Sequence, residues 1–199
     1  MGAEKEYKPR GARAGQPVAA ASSGITWTTI NRPRVIEYKT GEIRRTKIIV
    51  PAFTFPTTAA AKAIGQAIYT LPEGWILPLA ANVRTSTTTG ATTTGTAGEI
   101  GLGTTVGSGV VAVLSGTAGF QNILDGKTIS NHVAQTALTT QIAGAAGGTS
   151  GTMDVLDSTD SANPLTIYLN IASTYSGTGG VTVNSAEIDL LWINVGDKL

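Results

Sequence analysis

Residues Val181–Val195 have the sequence VTVNSAEIDLLWINV, which decides the fold class. Successive side chains of a β-strand point to opposite faces of the sheet. In such a strand Ile188, Leu190 and Trp192 would share one apolar face. The opposite face is also apolar, and its residues are Leu191, Ile193 and Val195. A strand that is apolar on both faces is predicted to lie in the centre of a sheet or at a subunit interface.

The composition of the chain also favours strands over helices. Charged residues make up only 14% of the 199 residues, and glycine contributes 25, whereas an average soluble domain is roughly 25% charged. Threonine, which is frequent, has a branched Cβ that suits a pleated sheet, and glycine permits turns and close backbone contacts. We therefore predict an all-β fold, with a β-sandwich or jelly-roll body and an extended N-terminal arm.

Residues 47–199 form the predicted body, in which short strands alternate with turn signals. Pro72–Gly74 predicts a tight turn, and Ser176–Gly180 predicts a hairpin between the last two strands. Ala59–Ala67 is predicted to be a short helix, and Thr85–Gly98 an exposed loop of low complexity. The predicted strands are Thr46–Phe55 (interrupted at Pro51), Ala67–Leu71, Trp75–Thr85, Gly109–Leu114, Ala137–Ile142, Leu165–Ser173 and Val181–Val195.

Residues 1–46 form the predicted arm, and its charge is opposite to that of the body. Met1–Lys47 contains ten basic and four acidic residues, a net charge of +6, whereas Ile48–Leu199 contains four basic and nine acidic residues, a net charge of −5. A basic arm on an acidic body indicates an acidic surface for the arm to reach. The apolar residues of Ile25–Tyr38 also need a surface, which is either the body of the same chain or another subunit.

The chain has few residues suited to catalysis or metal binding. It has no cysteine and one histidine, His132, for which an ordinary structural role is expected. We predict no catalytic residue, no metal site and no cofactor. Asp154, Asp157 and Asp160 could bind a cation, but their spacing matches no EF-hand loop, so a solvated acidic loop is expected. The run Gly101–Gly107 (GLGTTVG) departs from the glycine spacing of a dinucleotide-binding loop and is interpreted as a glycine-rich strand or bulge.

Neither nucleic acid nor a membrane is an expected partner. The basic residues of the arm are interleaved with acids, and the sequence contains no nucleic-acid-binding motif. No apolar run approaches the roughly 18–20 residues of a membrane helix, and Met1–Arg13 is too polar for a signal peptide.

Four segments of the body follow one another in an order that suggests a family. They are Ala67–Ile76 (AIYTLPEGWI), Glu99–Gly126 (EIGLGTTVGSGVVAVLSGTAGFQNILDG), Leu165–Ile171 (LTIYLNI) and Ala186–Gly196 (AEIDLLWINVG). In strand and turn pattern they resemble virion structural proteins of tailed phages, including cyanophages. They are similar to capsid cement (decoration) proteins, which form β-sandwich or jelly-roll trimers on the outer shell. The resemblance covers most of Lys47–Gly196 and does not include the arm.

The resemblance implies a structural protein of the virion rather than an enzyme. Such a protein would be made in the host cytoplasm, bind the major capsid protein on the outer capsid surface, and associate with itself as a homotrimer. Leu191, Ile193 and Val195 would then form the trimer interface. The arm is the candidate capsid contact, because arginine pairs with shell carboxylates while apolar residues fill grooves. The candidate contact residues are Trp27, Arg32, Arg34, Val35, Ile36, Arg44 and Arg45.

A carbohydrate- or receptor-binding β-sandwich, such as a fibre knob or tail component, is the alternative. Sugar binding would require several aromatic side chains to be exposed together near carboxylates or amides. Most of the aromatic residues lie within apolar strand patterns, which favours the core. The residues concerned are Trp27, Trp75, Tyr168, Tyr175 and Trp192.

Overall fold

The computed structural model describes residues 32–40, 42–55, 62–89, 98–110, 113–114, 119–129, 138–144, 155–172 and 180–196 of the chain. Those residues form eleven β-strands and no helix, which confirms the predicted all-β class. The strands form two antiparallel sheets, one of seven strands and one of four. Buried residues of both sheets belong to one hydrophobic cluster.

The order of the strands in the sheets differs from their order in the chain. The larger sheet has the order β1-β2-β11-β5-β8, with β3 also paired to β11 and β9 to β5. The smaller sheet has the order β4-β10-β6-β7. The strands are β1 (Arg34–Thr40), β2 (Ile43–Val50), β3 (Phe53–Phe55), β4 (Ala63–Thr70), β5 (Gly74–Thr89), β6 (Gly98–Gly103), β7 (Leu124–Ile129), β8 (Leu138–Gly144), β9 (Leu156–Ser158), β10 (Thr166–Ala172) and β11 (Val181–Gly196).

Strand β11 is the centre of the larger sheet. It pairs with β2 on one side and with β5 on the other, and β3 pairs with its first three residues. The pairing with β5 runs almost the whole length of both strands and is interrupted by β-bulges. On one face of β11, Ile188, Leu190 and Trp192 are at most 4% exposed. The prediction of a central strand is therefore confirmed.

The core contains alternate residues of strands from both sheets. Ile48, Val83 and Ile188 of the larger sheet are fully buried, as are Leu102 and Leu169 of the smaller one. Burying one large aliphatic side chain stabilises a fold by roughly 1.5–3 kcal/mol. The shared apolar cluster is therefore what holds the two sheets together.

The outer face of the smaller sheet is covered by the connection between β6 and β7. A Cβ added to Gly103 on β6 would lie 2.0 Å from the carbonyl oxygen of Gly119, and one added to Gly65 on β4 would lie 2.1 Å from Oδ1 of Asn170. Only glycine lets the chain approach the sheet this closely. The run Gly101–Gly107 is thus the end of a strand followed by a tightly packed loop, which confirms the interpretation of its glycines.

Asn170 attaches this connection to the sheet. Its side chain is fully buried. Its Nδ2 donates to the carbonyl oxygens of Thr105 at 2.9 Å and Phe120 at 2.7 Å, and its Oδ1 accepts from the backbone N–H of Gly107 at 2.8 Å. One amide therefore satisfies three backbone groups of the covering segment, which would otherwise be buried without partners. The same segment contributes to a second apolar cluster of Ala63, Leu114, Phe120 and Ala172.

Two predictions about connections and helices are wrong. Residues 63–67 of the predicted helix Ala59–Ala67 belong to β4, because pairing with β10 and burial outweigh the helix preference of alanine. Residues 59–61 lie outside the described residues. The predicted hairpin at Ser176–Gly180 does not join paired strands, because β10 belongs to the smaller sheet and β11 to the larger. This connection, like Pro72–Gly74, instead crosses from one sheet to the other.

Two further segments also differ from the prediction. In the predicted strand Gly109–Leu114, the chain turns at Gly109, which has a φ of 79°, and the side chain of Val110 is 68% exposed. Of its described residues only Leu114 is buried, so the segment lacks the row of buried apolar side chains that a strand of this fold presents. In the predicted loop Thr85–Gly98, residues 85–89 extend β5. Their threonines suit a strand that pairs with β11.

The predicted boundary between arm and body falls inside β2. Residues 34–40 form β1 and residues 43–46 form the first half of β2, which pairs with β11. The described part of residues 1–46 therefore belongs to the larger sheet, because its apolar residues find their partners there. Residues 1–31, which include Trp27, lie outside the described residues.

Candidate functional site

The outer face of the larger sheet is the candidate functional site, and we call it the open face. The residues of this face are identified first on β11. There, the side chains that alternate with the buried Ile188, Leu190 and Trp192 must point away from the core. The cross-strand partners of those residues extend the same face to the neighbouring strands. The main side chains of the open face are Arg34, Ile36, Tyr38, Ile43, Arg45, Lys47, Ile49, Trp75, Leu77, Asn82, Arg84, Thr88, Thr182, Glu187, Asp189, Leu191, Ile193 and Val195.

One end of the open face is apolar. Leu77 lies opposite Ile193, and Ile193 lies opposite Ile43, so the three form a row across β5, β11 and β2. Ile43 is 43% exposed, Val195 is 52% exposed and Trp75 is 40% exposed. A group of large apolar side chains in solvent on one sheet face indicates a contact surface.

The middle of the open face is charged. Arg45 Nη2 lies 2.8 Å from Asp189 Oδ1, and Lys47 Nζ lies 2.9 Å from Glu187 Oε2. The hydrogen bond from Lys47, followed by its charge, lowers the pKa of the Glu187 carboxyl. The Arg45 guanidinium also lies 5.8 Å from the ring centroid of Tyr38. These exposed pairs neutralise one another, and each contributes at most about 1 kcal/mol to stability.

The other end of the open face consists of hydroxyl and amide groups. The hydroxyl oxygens of Thr54 and Thr182 lie 2.8 Å apart, and Asn184 Nδ2 donates to Thr88 Oγ1 at 2.7 Å. The face therefore changes from apolar through charged to neutral polar along β11. Only the first two zones offer groups that give a protein contact much of its binding energy.

The predicted capsid-contact residues do not form one surface. Arg34, Ile36 and Arg45 lie on the open face, because they alternate along β1 and β2. Arg44 points to the other side, where its guanidinium carbon lies 5.3 Å from the ring centroid of the buried Trp192. Val35 also points inward and is in contact with the core. Of the other two predicted residues, Arg32 lies in the bend before β1 and Trp27 lies outside the described residues.

The predicted trimer-interface residues do lie together. Leu191, Ile193 and Val195 follow one another on the open face at its apolar end, and the first two are half-buried. In the single chain only the inner face of this strand is fully buried, so cover of its outer face by another subunit stays a prediction. Arg45 lies directly opposite Leu191, so the open face brings one predicted capsid-contact residue next to the predicted trimer interface.

A polar cluster between the two sheets was not predicted. Trp192 Nε1 donates to the buried Thr46 Oγ1 at 2.8 Å. Tyr69 on β4 donates to Glu37 on β1, which links the smaller sheet to the edge of the larger one. Burial, followed by the negative charge of Glu37, raises the pKa of the Tyr69 phenol well above its ordinary value. The sequence does show these polar residues within strand patterns. It does not show which residues they contact, because their partners are distant in the chain.

The predicted acidic loop is only partly described, and its carboxylates bind neighbouring backbone. Asp157 Oδ1 accepts from the N–H of Thr159 at 3.0 Å, and Asp160 Oδ1 accepts from the N–H of Ala162 at 2.9 Å. These are the local turns that aspartate commonly stabilises. Asp154 and His132 lie outside the described residues. Within the described ranges, no cluster of three histidine, cysteine or acidic side chains has the geometry of a metal site.

Among the described residues, no helix has the length and apolar character needed to span a membrane. Comparison of the chain with protein-family models, with curated proteins and with solved structures found no match, so its function has to be inferred from its own residues and their geometry.

Proposed function

We propose that the chain is a structural subunit of a virion, a capsid cement (decoration) protein that binds the outer surface of a tailed-phage head. The observation that supports this proposal most directly is the open face, with exposed apolar residues at one end, Arg45 next to them and Arg34 further along the same face. Arg34, which makes no ion pair among the described residues, can pair with a shell carboxylate, while Ile36 and Ile43 contribute apolar contact. The protein then adds contact area between shell subunits and needs no catalytic residue.

The proposal includes a homotrimer and a jelly-roll form of the two-sheet fold. Leu191, Ile193 and Val195 are suited to contact other copies, because they lie in one line on the open face and keep part of their apolar surface in solvent. A trimer fits the local threefold positions of a capsid, where one symmetric patch meets several copies of the shell protein. Residues 1–31 remain as the proposed extended arm, since residues 34–40 and 43–46 belong to the larger sheet.

Binding to empty shells tests the proposal directly. Purified protein is added to capsids assembled without it, and the bound fraction is measured by sedimentation at low and at high salt. Arg34→Glu is expected to weaken binding by up to about tenfold at low salt and by less at high salt, because salt screens exposed charges. Lys62→Glu is the matched control, because Lys62 precedes β4 of the smaller sheet and lies outside the open face, so this charge reversal should leave binding unchanged.

A second variant tests the arm separately. Deleting residues 1–31 leaves every described strand intact, whereas a deletion as far as Ile43 would remove β1 from the sheet. If the arm carries capsid affinity, the shorter deletion leaves a folded protein that no longer decorates shells. Equal binding of wild type, Arg34→Glu and the deletion variant would contradict the proposal, and so would the absence of any binding by the wild-type protein.

Carbohydrate binding remains the second candidate because of one observation. Trp75 is exposed on the open face, and the carboxylate-bearing Asp157 lies directly opposite it on β9. Against this, Trp192 is buried and Tyr168 belongs to the smaller sheet, so the described aromatic residues do not form a joint platform. If the chain binds sugar, a glycan array gives a signal that Trp75→Ala abolishes.

A further inference from the structure

Strand β1 is the edge of the larger sheet. It pairs with β2 on one side, and within the described residues no strand pairs with its other side. An edge strand presents a row of backbone N–H and C=O groups that can pair with another strand. The question is which strand would fit this edge.

The sequence of β1 fits a second copy of itself. Glu37 and Lys39 stand on either side of Tyr38. In an antiparallel pair centred on Tyr38, each Glu37 lies directly opposite Lys39 of the second copy, so two opposite-charge pairs form at once. Tyr38 then lies opposite Tyr38, and Ile36 lies opposite Thr40. Directly opposed residues with opposite charges or aromatic rings stabilise an antiparallel pair.

The electrostatic surroundings of Lys39 support the same partner. Across β2, Lys39 lies directly opposite Arg44, which has the same charge, and like charges in that position repel. The side chain of Lys39 is exposed, and among the described residues it makes no ion pair. Glu37 of a second copy would place a carboxylate beside these two cations, and Glu37 is held in position by Tyr69.

Neighbouring alignments of the two edges are less favourable. With the pair centred on Glu37, two carboxylates would be directly opposed, and with the pair centred on Lys39, two ammonium groups would be. A pair centred between two residues would turn the open faces of the two copies to opposite sides, because a shift of one residue exchanges the faces of a strand. The alignment centred on Tyr38 avoids all three problems.

We propose that two copies of the chain associate through β1, antiparallel and centred on Tyr38, so that their larger sheets form one continuous sheet. The contact has twofold symmetry, in which the same patch of each copy is used. It places the two open faces side by side on one surface of the dimer. The dimer does not depend on the proposed capsid function, because β1 pairing requires neither a shell nor the apolar end of the open face.

Single cysteines test the contact and its alignment, since the chain has no cysteine of its own. Tyr38→Cys is expected to give an intermolecular disulfide, because directly opposed residues have Cα atoms about 4.5–5.5 Å apart. Ile36→Cys is the matched control on the same face. Two Ile36 residues would be separated by four residues along the strand, about 13 Å, which is too far for a disulfide.

The readout is a non-reducing gel of the full chain after mild oxidation, where the dimer has twice the mass of the 20.3 kDa chain. The double variant Ile36→Cys with Thr40→Cys should restore the cross-link, because those positions oppose each other in the proposed alignment. If Ile36→Cys cross-links as fast as Tyr38→Cys, the alignment is wrong. If none of these variants cross-links, the edge is not a contact between copies.

A charge test gives an independent measurement by sedimentation velocity. Lys39→Glu, which reverses one side of both pairs, is expected to raise the dimer dissociation constant about tenfold, and Glu37→Lys should do the same. An equimolar mixture of the two variants should associate like the wild type, because each Glu then faces a Lys. If Glu37→Lys fails to fold because it loses the contact with Tyr69, Lys39→Glu and the cysteine variants still test the proposed contact. Unchanged association of Lys39→Glu would overturn the proposal.

Discussion

The outer face of the smaller sheet is covered, whereas that of the larger sheet is exposed. The smaller sheet is covered by the connection between β6 and β7, which lies against glycines and is attached by the buried amide of Asn170. The larger sheet presents Ile43, Trp75 and Val195 to solvent. In the smaller sheet, the outer face is thus closed by backbone of the same chain. Among the described residues the outer face of the larger sheet has no such cover, and the proposed function assigns it a contact with another molecule.

The strongest test of the covered face is Asn170→Ala. It leaves three backbone groups without their partner, and we expect a loss of about 4 kcal/mol in the free energy of unfolding. Hydrogen exchange should accelerate first in residues 104–107 and 119–121. Asn184→Ala on the open face is the matched control, because that amide is exposed, and it should cost less than about 0.5 kcal/mol. Similar losses for the two variants would remove the distinction between the faces.

A single added methyl group tests how closely the cover approaches the sheet. Gly103→Ala would bring Cβ within 2.0 Å of the Gly119 carbonyl oxygen, and we expect it to destabilise the protein by about 3 kcal/mol in urea unfolding. At Gly109 an added Cβ meets nothing within 4 Å, so Gly109→Ala should cost only the strain of its φ, about 1 kcal/mol. Equal midpoints for the two variants would mean that the cover is loose.

The junction between the sheets can be tested by pH. Because burial and Glu37 raise the pKa of Tyr69, the unfolded chain loses this proton at a lower pH than the folded protein does. Stability from this group is therefore complete below about pH 10 and falls above it, by about 1.4 kcal/mol per pH unit. Tyr69→Phe should remove that part of the alkaline decline while lowering stability at neutral pH. An identical decline between pH 10 and 11 in both proteins would contradict the assignment.

The smallest effect is expected on the open face. Val195→Ser removes an exposed methyl-bearing side chain and should change the free energy of unfolding by less than about 0.5 kcal/mol. Val183 on the same strand is fully buried, so Val183→Ser is the control that should destabilise the protein strongly. If Val195→Ser were as costly as Val183→Ser, the apolar end of the open face would be part of the core.

Local pattern was enough to locate most strands but not to pair them. The alternation in β10 and β11 and the interruption at Pro51 were predicted from the sequence. The partners were not, because β10 and β11, which are neighbours in the chain, belong to different sheets. The alanines of β4 suggested a helix since the deciding contacts with β10 come from residues about one hundred positions away.

The candidate surface was predicted in part for the same reason. Leu191, Ile193 and Val195 lie together because they alternate in one strand, a local property. Arg44 and Arg45 were predicted to act together, although consecutive residues of a strand point to opposite faces. The arm was assigned by charge, and charge does not indicate that residues 34–40 and 43–46 form strands of the larger sheet.

The central position of β11 has a consequence for the rate of folding. Strands β2, β3 and β5 all precede β11 in the chain and all need it as a partner, and the bond between Trp192 and Thr46 spans 146 residues. Contacts of such high contact order form slowly, because a long loop must close before they contribute. During that delay β2 and β5 have unpaired edges, so newly made chains are exposed to aggregation until β11 inserts between them. Refolding yield should therefore fall steeply with protein concentration.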